Sequence, residues 1–95
     1  MTTYIILSRL SPGSLNDPKE FKKIAQTVSS EIKRKCPKVK WQQSYVVTGR
    51  FDIVDVVEAP DLASVERAAM IIRGPGNAAT ETMLATPWDV FLKSL

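Results

Sequence analysis

The sequence predicts an α+β fold in which a four-stranded antiparallel sheet carries two helices on one face. Three observations predict it. Short β-favouring runs and two stretches of three-and-four apolar periodicity follow one another as strand, helix, strand, strand, helix, strand. The middle strands are joined at Gly49-Arg50 with so few residues between them that they must be antiparallel neighbours. Finally, those strands carry apolar residues on both faces: Trp41, Tyr45 and Val47 alternate with a set that includes Val46. In the next strand Phe51, Ile53 and Val57 alternate with Asp52, Val54 and Val56. A sheet with water on one side reads apolar-in, polar-out, so something is expected to cover the second face.

Thr3 to Leu10 reads as the first strand, because Tyr4-Ile5-Ile6-Leu7 favours β structure and Ser11-Pro12-Gly13-Ser14 ends the run. Asp17-Pro18-Lys19-Glu20 is helix-start chemistry: Asp17 caps, Pro18 suits the first helical position and Glu20 completes a capping-box spacing. Phe21, Ile24, Val28 and Ile32 then form one stripe, and Pro37 stops the helix near Cys36. Lys40 to Thr48 is the second strand and Phe51 to Ala59 the third. Pro60-Asp61 opens a second helix with Leu62, Val65, Ala69 and Ile72 on its buried stripe and Gly74 as its C-terminal cap. A fourth strand spans residues 78–85. Thr86-Pro87-Trp88-Asp89 repeats the start signature of the first helix, and a short amphipathic helix bearing Trp88, Phe91, Leu92 and Leu95 is expected to follow.

This β-α-β-β-α-β order is the ferredoxin-like arrangement. Right-handed crossovers put both helices on the same face. Four strands about 4.8 Å apart and roughly five residues long leave an opposite face on the order of 300 Å². Monomers seldom expose apolar patches of that size without a purpose, and the C-terminal helix shields only a corner. A homodimer meeting face to face, or a higher homo-oligomer, is therefore expected.

Composition narrows the class. The 95 residues are expected to form one domain spanning 1–95, with 44% hydrophobic residues and a net charge of +3. A single Cys36 excludes an intramolecular disulfide framework and fits a reducing cytoplasm. Tyr4-Ile5-Ile6-Leu7 is too short for a secretory signal and no stretch is long enough to span a bilayer, so a cytoplasmic location without membrane partners is expected. Eight of the basic residues fall between Lys19 and Lys40, mostly opposite the apolar stripe, as on any solvated helix face. With no recognition motif, nucleic acid is not an expected partner.

Here the chain resembles a known family. The turn Gly49-Arg50-Phe51-Asp52, the following Val56-Val57-Glu58-Ala59-Pro60-Asp61, and Gly76-Asn77 with Thr80-Glu81-Thr82 resemble the GYD-domain proteins from Tyr4 to about Thr86. These are small proteins named for a Gly-Tyr-Asp signature and placed among the dimeric α/β-barrel folds. The resemblance puts the signature on Gly49, Phe51 and Asp52, with Phe in place of the family's Tyr. It implies a fold and an assembly but no settled activity. Related barrel families include cofactor-free monooxygenases, haem-processing enzymes and small-ligand sensors, a fold-level analogy that transfers no reaction.

The chain has no histidine, which removes a Ser-His-Asp triad, a Cys-His pair and an imidazole-ligated metal or haem together. No catalytic residue, metal site or cofactor is assigned. The candidate ligand-binding residues are Tyr4, Tyr45, Asp55, Thr80 and Thr82. Asp55 is the sharpest: it interrupts the apolar set Phe51, Ile53 and Val57, where a carboxylate is desolvated. It serves either a ligand or an ion pair with Arg9, Arg50 or a partner subunit. Tyr4, Trp41, Tyr45 and Trp88 either line a pocket, anchor an interface or pack in the core. Thr80 and Thr82 share a strand face and either present hydroxyls to a cavity or act simply as good strand residues. Asp52 reads as a turn former that bonds backbone. Gly74-Pro75-Gly76-Asn77 has no following GK[ST] and reads as a helix stop rather than a phosphate loop. Cys36 reads as a buried structural thiol.

Two functions follow. The first is a homo-oligomeric domain holding a small, partly apolar ligand between sheet and helices. The alternative is a cofactor-independent monooxygenase- or isomerase-like enzyme acting on a small aromatic or carbonyl compound. A solidly packed interior would leave neither.

Overall fold

A computed structural model describes residues 1–95. It contains β1 (Thr2–Leu10), α1 (Pro18–Lys35), β2 (Lys40–Val46), β3 (Ile53–Ala59), α2 (Leu62–Arg73), β4 (Ala78–Ala85) and α3 (Trp88–Ser94). The sheet runs in the order β2-β3-β1-β4 with every neighbouring pair antiparallel. This is the ferredoxin-like arrangement expected.

The helix starts form as their chemistry dictates. Asp17 Oδ1 accepts from the Lys19 and Glu20 backbone N–H groups at 3.1 and 3.3 Å, and Pro18 occupies the first turn of α1. Asp61 Oδ1 accepts from the Ser64 N–H at 2.8 Å and starts α2. That bond, aided by the Ser64 hydroxyl, holds the Asp61 carboxyl below its ordinary range. On α1, Glu31 is likewise held low, first by its hydrogen bond to Arg34 and then by Lys35. Cys36 caps the end of α1 and is buried.

The core is built from alternate sheet residues. Tyr4 and Ile6 of β1 and Val57 and Ala59 of β3 meet Val65, Ala68 and Ile72 of α2, with Ile32, Cys36 and Val39 closing one side. Ile6, Val57 and Val65 have no exposure, so each contributes about 1.5–3 kcal/mol of apolar burial. The stripe of α2 is Val65, Ala68, Ala69 and Ile72; Leu62, expected to belong to it, is exposed in the first turn. After α2, Gly76 lies so close to the helix end that a Cβ there would collide with the Ile72 carbonyl oxygen. Asn77 takes the left-handed conformation that turns the chain into β4.

The reverse face of the sheet carries Ile5, Leu7, Val54 and Val56, all half-buried, together with the exposed Met83. The shortest dimension of the molecule is 16 Å, enough for one sheet and one layer of helices. α3 buries none of its residues, with Trp88 71% and Leu95 84% exposed. It does not shield even the corner expected of it, and Thr86 does not cap it.

Two expectations about the hairpin are corrected. β2 ends at Val46 and β3 begins at Ile53, so a six-residue segment, 47–52, replaces the tight turn. Only the Val47 N–H still bonds across it, to the Asp52 carbonyl at 2.9 Å. Within β2 the register shifts between Trp41 and Gln43, a β-bulge that places one extra residue against β3. Beyond the bulge the strand's faces exchange. Trp41 and Ser44 therefore share the helix side, whereas Tyr45, expected beside Trp41, turns to the reverse face.

Candidate functional site

α1 touches the rest of the core mainly at its C-terminal end, where Ile32 is its one buried residue. Toward its N-terminus, Phe21, Ile24 and Val28 face the sheet across a cavity of about 520 Å³. The floor is formed by Ser8 and Leu10 of β1, Ile53 and Asp55 of β3, and Trp41 and Ser44 of β2. Ile72, Gly76 and Ala78 form an end wall. The volume and the apolar lining match those of small-molecule sites.

The polar groups gather on the floor. Ser44 and Asp55 are directly opposed across β2 and β3. Asp55, 6% exposed, accepts from the Ser44 hydroxyl at 2.6 Å and from Trp41 Nε1–H at 3.0 Å, both on Oδ1. Trp41 Nε1–H also reaches Ser44 Oγ at 3.0 Å, closing a triangle. The bulge makes this possible, because strict alternation would send Ser44 to the reverse face. Ser8 is 1% exposed and its Oγ has no hydrogen-bond partner. It lies two residues along β1 from Ile6, which pairs with Asp55.

Within the chain Asp55 makes no ion pair, with Arg9, Arg50 or any other residue. The chain's ion pairs both involve Glu31. Arg9 instead donates from Nε to the Arg50 carbonyl at 3.0 Å and lies over the Phe51 ring, 5.2 Å from its centroid. Of the residues singled out from sequence, Asp55 lines the cavity and Tyr45 is 52% exposed on the opposite face. Tyr4 is buried in the core outside the cavity, on the same sheet face as Asp55. Thr80 and Thr82 also share that face, opposite Ser8 and Ile6, half-buried and beyond the cavity wall. Trp41, one of the aromatics expected to line a pocket, pack in the core or anchor an interface, lines the cavity, whereas Ser8 and Ser44 escaped the sequence reading. Ser8 had left a trace, as a hydroxyl on the otherwise apolar set Tyr4 and Ile6.

The signature turn sits beside the cavity and clamps the hairpin to β1. Gly49 has φ +126°, a region that favours glycine. Asp52 does not bond within its own turn: its Oδ2 accepts from the Leu10 N–H at 2.8 Å, and its own N–H donates to the Ser8 carbonyl at 2.9 Å. Phe51 supplies the face on which Arg9 rests, an interaction that needs a ring but no hydroxyl. Each signature position therefore has a backbone or packing role.

The family model described as the GYD domain matches residues 4–95. The chain belongs to the GYD-domain family. A protein of Thermus thermophilus named glutamine synthetase and cystathionine beta-lyase binding protein is 32% identical over 91 residues, covering 92% of this GYD chain and 90% of that protein. Among solved structures, FFRP-DM1 is similar at a TM-score of 0.55 and 25% identity, over 90% of this chain and all of that one. A de novo designed protein with a ferredoxin fold is similar at a TM-score of 0.51 and 14% identity, over 93% of this chain and 88% of the design, which supports the fold alone. No helix of the GYD chain is long and apolar enough to cross a membrane.

Proposed function

We propose that this GYD-domain chain is a homo-oligomeric binding domain that holds a small, partly apolar ligand in the cavity between α1 and the sheet. The observation that carries the reading is the cavity itself: about 520 Å³, with Phe21, Ile24 and Val28 of α1 on one side and Asp55, Ser44 and Ser8 gathered on its floor. Self-association is supported by the reverse face, where Ile5, Leu7, Val54, Val56 and Met83 form an apolar sheet surface that the chain's own helices leave uncovered. A second copy would cover it symmetrically without obstructing the cavity, which opens on the other side of the sheet. A cofactor-independent enzyme would use the same cavity with Asp55 as its acid or base; turnover of a bound compound separates that alternative from binding alone.

The name of the T. thermophilus relative supports a second reading, in which the domain also meets another protein. α3 favours it, because Trp88, Phe91 and Leu92 are exposed on a helix none of whose residues is buried.

Native mass spectrometry of gently purified protein tests the proposal. The expected result is a multiple of the 10.6 kDa chain carrying a small adduct. A bare 10.6 kDa species at micromolar concentration would overturn the assembly. An oligomer that neither carries an adduct nor binds any member of a small-solute library would overturn the ligand reading.

A further inference from the structure

We infer that the cavity selects a small organic cation, a primary ammonium on an apolar body, with its charged head on the Asp55 and Ser8 end of the floor. This rests on the reading of the cavity as a binding site and names the chemistry it takes.

The argument begins with what Asp55 lacks. A buried carboxylate is costly unless a charge or a full set of donors compensates it. Asp55 receives two donors, both on Oδ1, and no Lys or Arg nitrogen lies within the 4.0 Å of an ion pair. Oδ2 accepts nothing from the protein. A second copy seated on the reverse face of the sheet reaches neither oxygen. The missing donor therefore comes from the cavity, as water before a ligand binds or as the head of a ligand that displaces it.

Ser8 points the same way independently. Its Oγ is buried and unpartnered, and a polar atom in that state calls for a partner that the folded chain does not provide. Ser8 and Asp55 lie on adjacent strands, on the same face and diagonal to one another. An ammonium has three N–H donors and no acceptor, which suits one free carboxylate oxygen and one free hydroxyl oxygen. The rest of the ligand faces Phe21, Ile24 and Val28, which offer no polar atom and so demand an alkyl or aryl body.

The one other charged residue at the cavity is Lys33, exposed on α1. It keeps its hydration and needs no counter-ion, whereas Asp55 is 6% exposed and meets solvent only through the cavity. An anion would be held by Lys33 and repelled by Asp55, so the two charges make opposite predictions about the ligand.

Benzylammonium, toluene and benzoate share a body and differ in head charge. Each is titrated into the intact protein while the Trp41 indole N–H resonance, which sits on Asp55, is followed by NMR. Benzylammonium is expected to bind at least about tenfold tighter than toluene, and benzoate no tighter than toluene. In Asp55→Asn the amine preference should fall to within about twofold while toluene affinity stays the same, which also shows that the variant is folded. Ser8→Ala, a smaller change at a buried site, should weaken benzylammonium about threefold and leave toluene unchanged. An amine preference that is absent in the native protein, that survives Asp55→Asn, or that is replaced by a preference for benzoate overturns the inference. If toluene binds without any amine preference, only the ligand class is wrong. If none of the three binds saturably, the cavity is not a site and the proposed function falls with the inference.

Discussion

Asp52→Ala tests the clamp that joins the signature turn to β1. The substitution removes the carboxylate that accepts from the Leu10 N–H at 2.8 Å in a part-buried position, 42 residues away along the chain. Hydrogen bonds to charged groups contribute about 1.5–3 kcal/mol, and an unmet buried donor costs a similar amount. Taking about 2 kcal/mol, and about 4–8 °C per kcal/mol for a domain of this size, the melting temperature should fall by roughly 8–16 °C. Asp52→Asn keeps an oxygen acceptor of the same reach and should lose less than about 1 kcal/mol, since only the charge is removed. Urea denaturation at one fixed protomer concentration, followed by circular dichroism and fluorescence together, measures both variants against the parent. The reasoning is refuted if Asp52→Ala lies within about 0.5 kcal/mol of the parent, the range of an ordinary surface substitution. It is refuted equally if Asn is as damaging as Ala, because the bond would then not be what the residue supplies.

Three further outcomes follow. Gly76→Ala forces a Cβ against the Ile72 carbonyl oxygen at the end of α2, so it should destabilise by about 2 kcal/mol or more in the same urea assay. The Asp61 carboxyl is held low by Ser64, so its contribution is complete above the ordinary Asp value of about 3.9 and is lost as pH falls through the lower folded-state value. Stability measured between pH 7 and pH 2.5 should therefore decline at the acid end, and Asp61→Asn should flatten part of that decline; an unchanged slope would contradict the capping role. Val56→Lys places a charge in the middle of the reverse sheet face, beside Ile5 and Gln43, and should shift sedimentation equilibrium toward the single chain while leaving the circular dichroism spectrum unchanged.

β1 and β3 were legible in the sequence because strict alternation survives in them: Tyr4 and Ile6 point one way, Ile5 and Leu7 the other, and Val54 and Val56 oppose Asp55 and Val57. The caps of α1 and α2 were legible because Asp17 and Asp61 bond their own first turns, a purely local arrangement. β2 was not, since one bulged residue resets a period of two, and nothing local distinguishes Gln42-Gln43 as the place where it happens. That single shift sends Tyr45 away from the cavity and brings Ser44 into it. Asp55 stood out as a carboxylate in an apolar set, but its partners depend on the bulge, and its relation to Ser8 depends on β1 lying beside β3. Asp52 was read as a turn former because Asp so often is one; its bond to Leu10 is tertiary and has no local trace. α3 was visible as an amphipathic helix, yet amphipathicity names a face without naming what covers it.

The reading of the space beneath α1 as a binding site is tested most directly by isoleucine methyl spectra recorded through a titration with toluene. Ile24, Ile32, Ile53 and Ile72 line the cavity, whereas Ile5 lies on the reverse face of the sheet. Saturable shifts confined to the first four, with Ile5 unmoved, are the predicted result. Uniform drift without saturation, or shifts centred on Ile5, would contradict it.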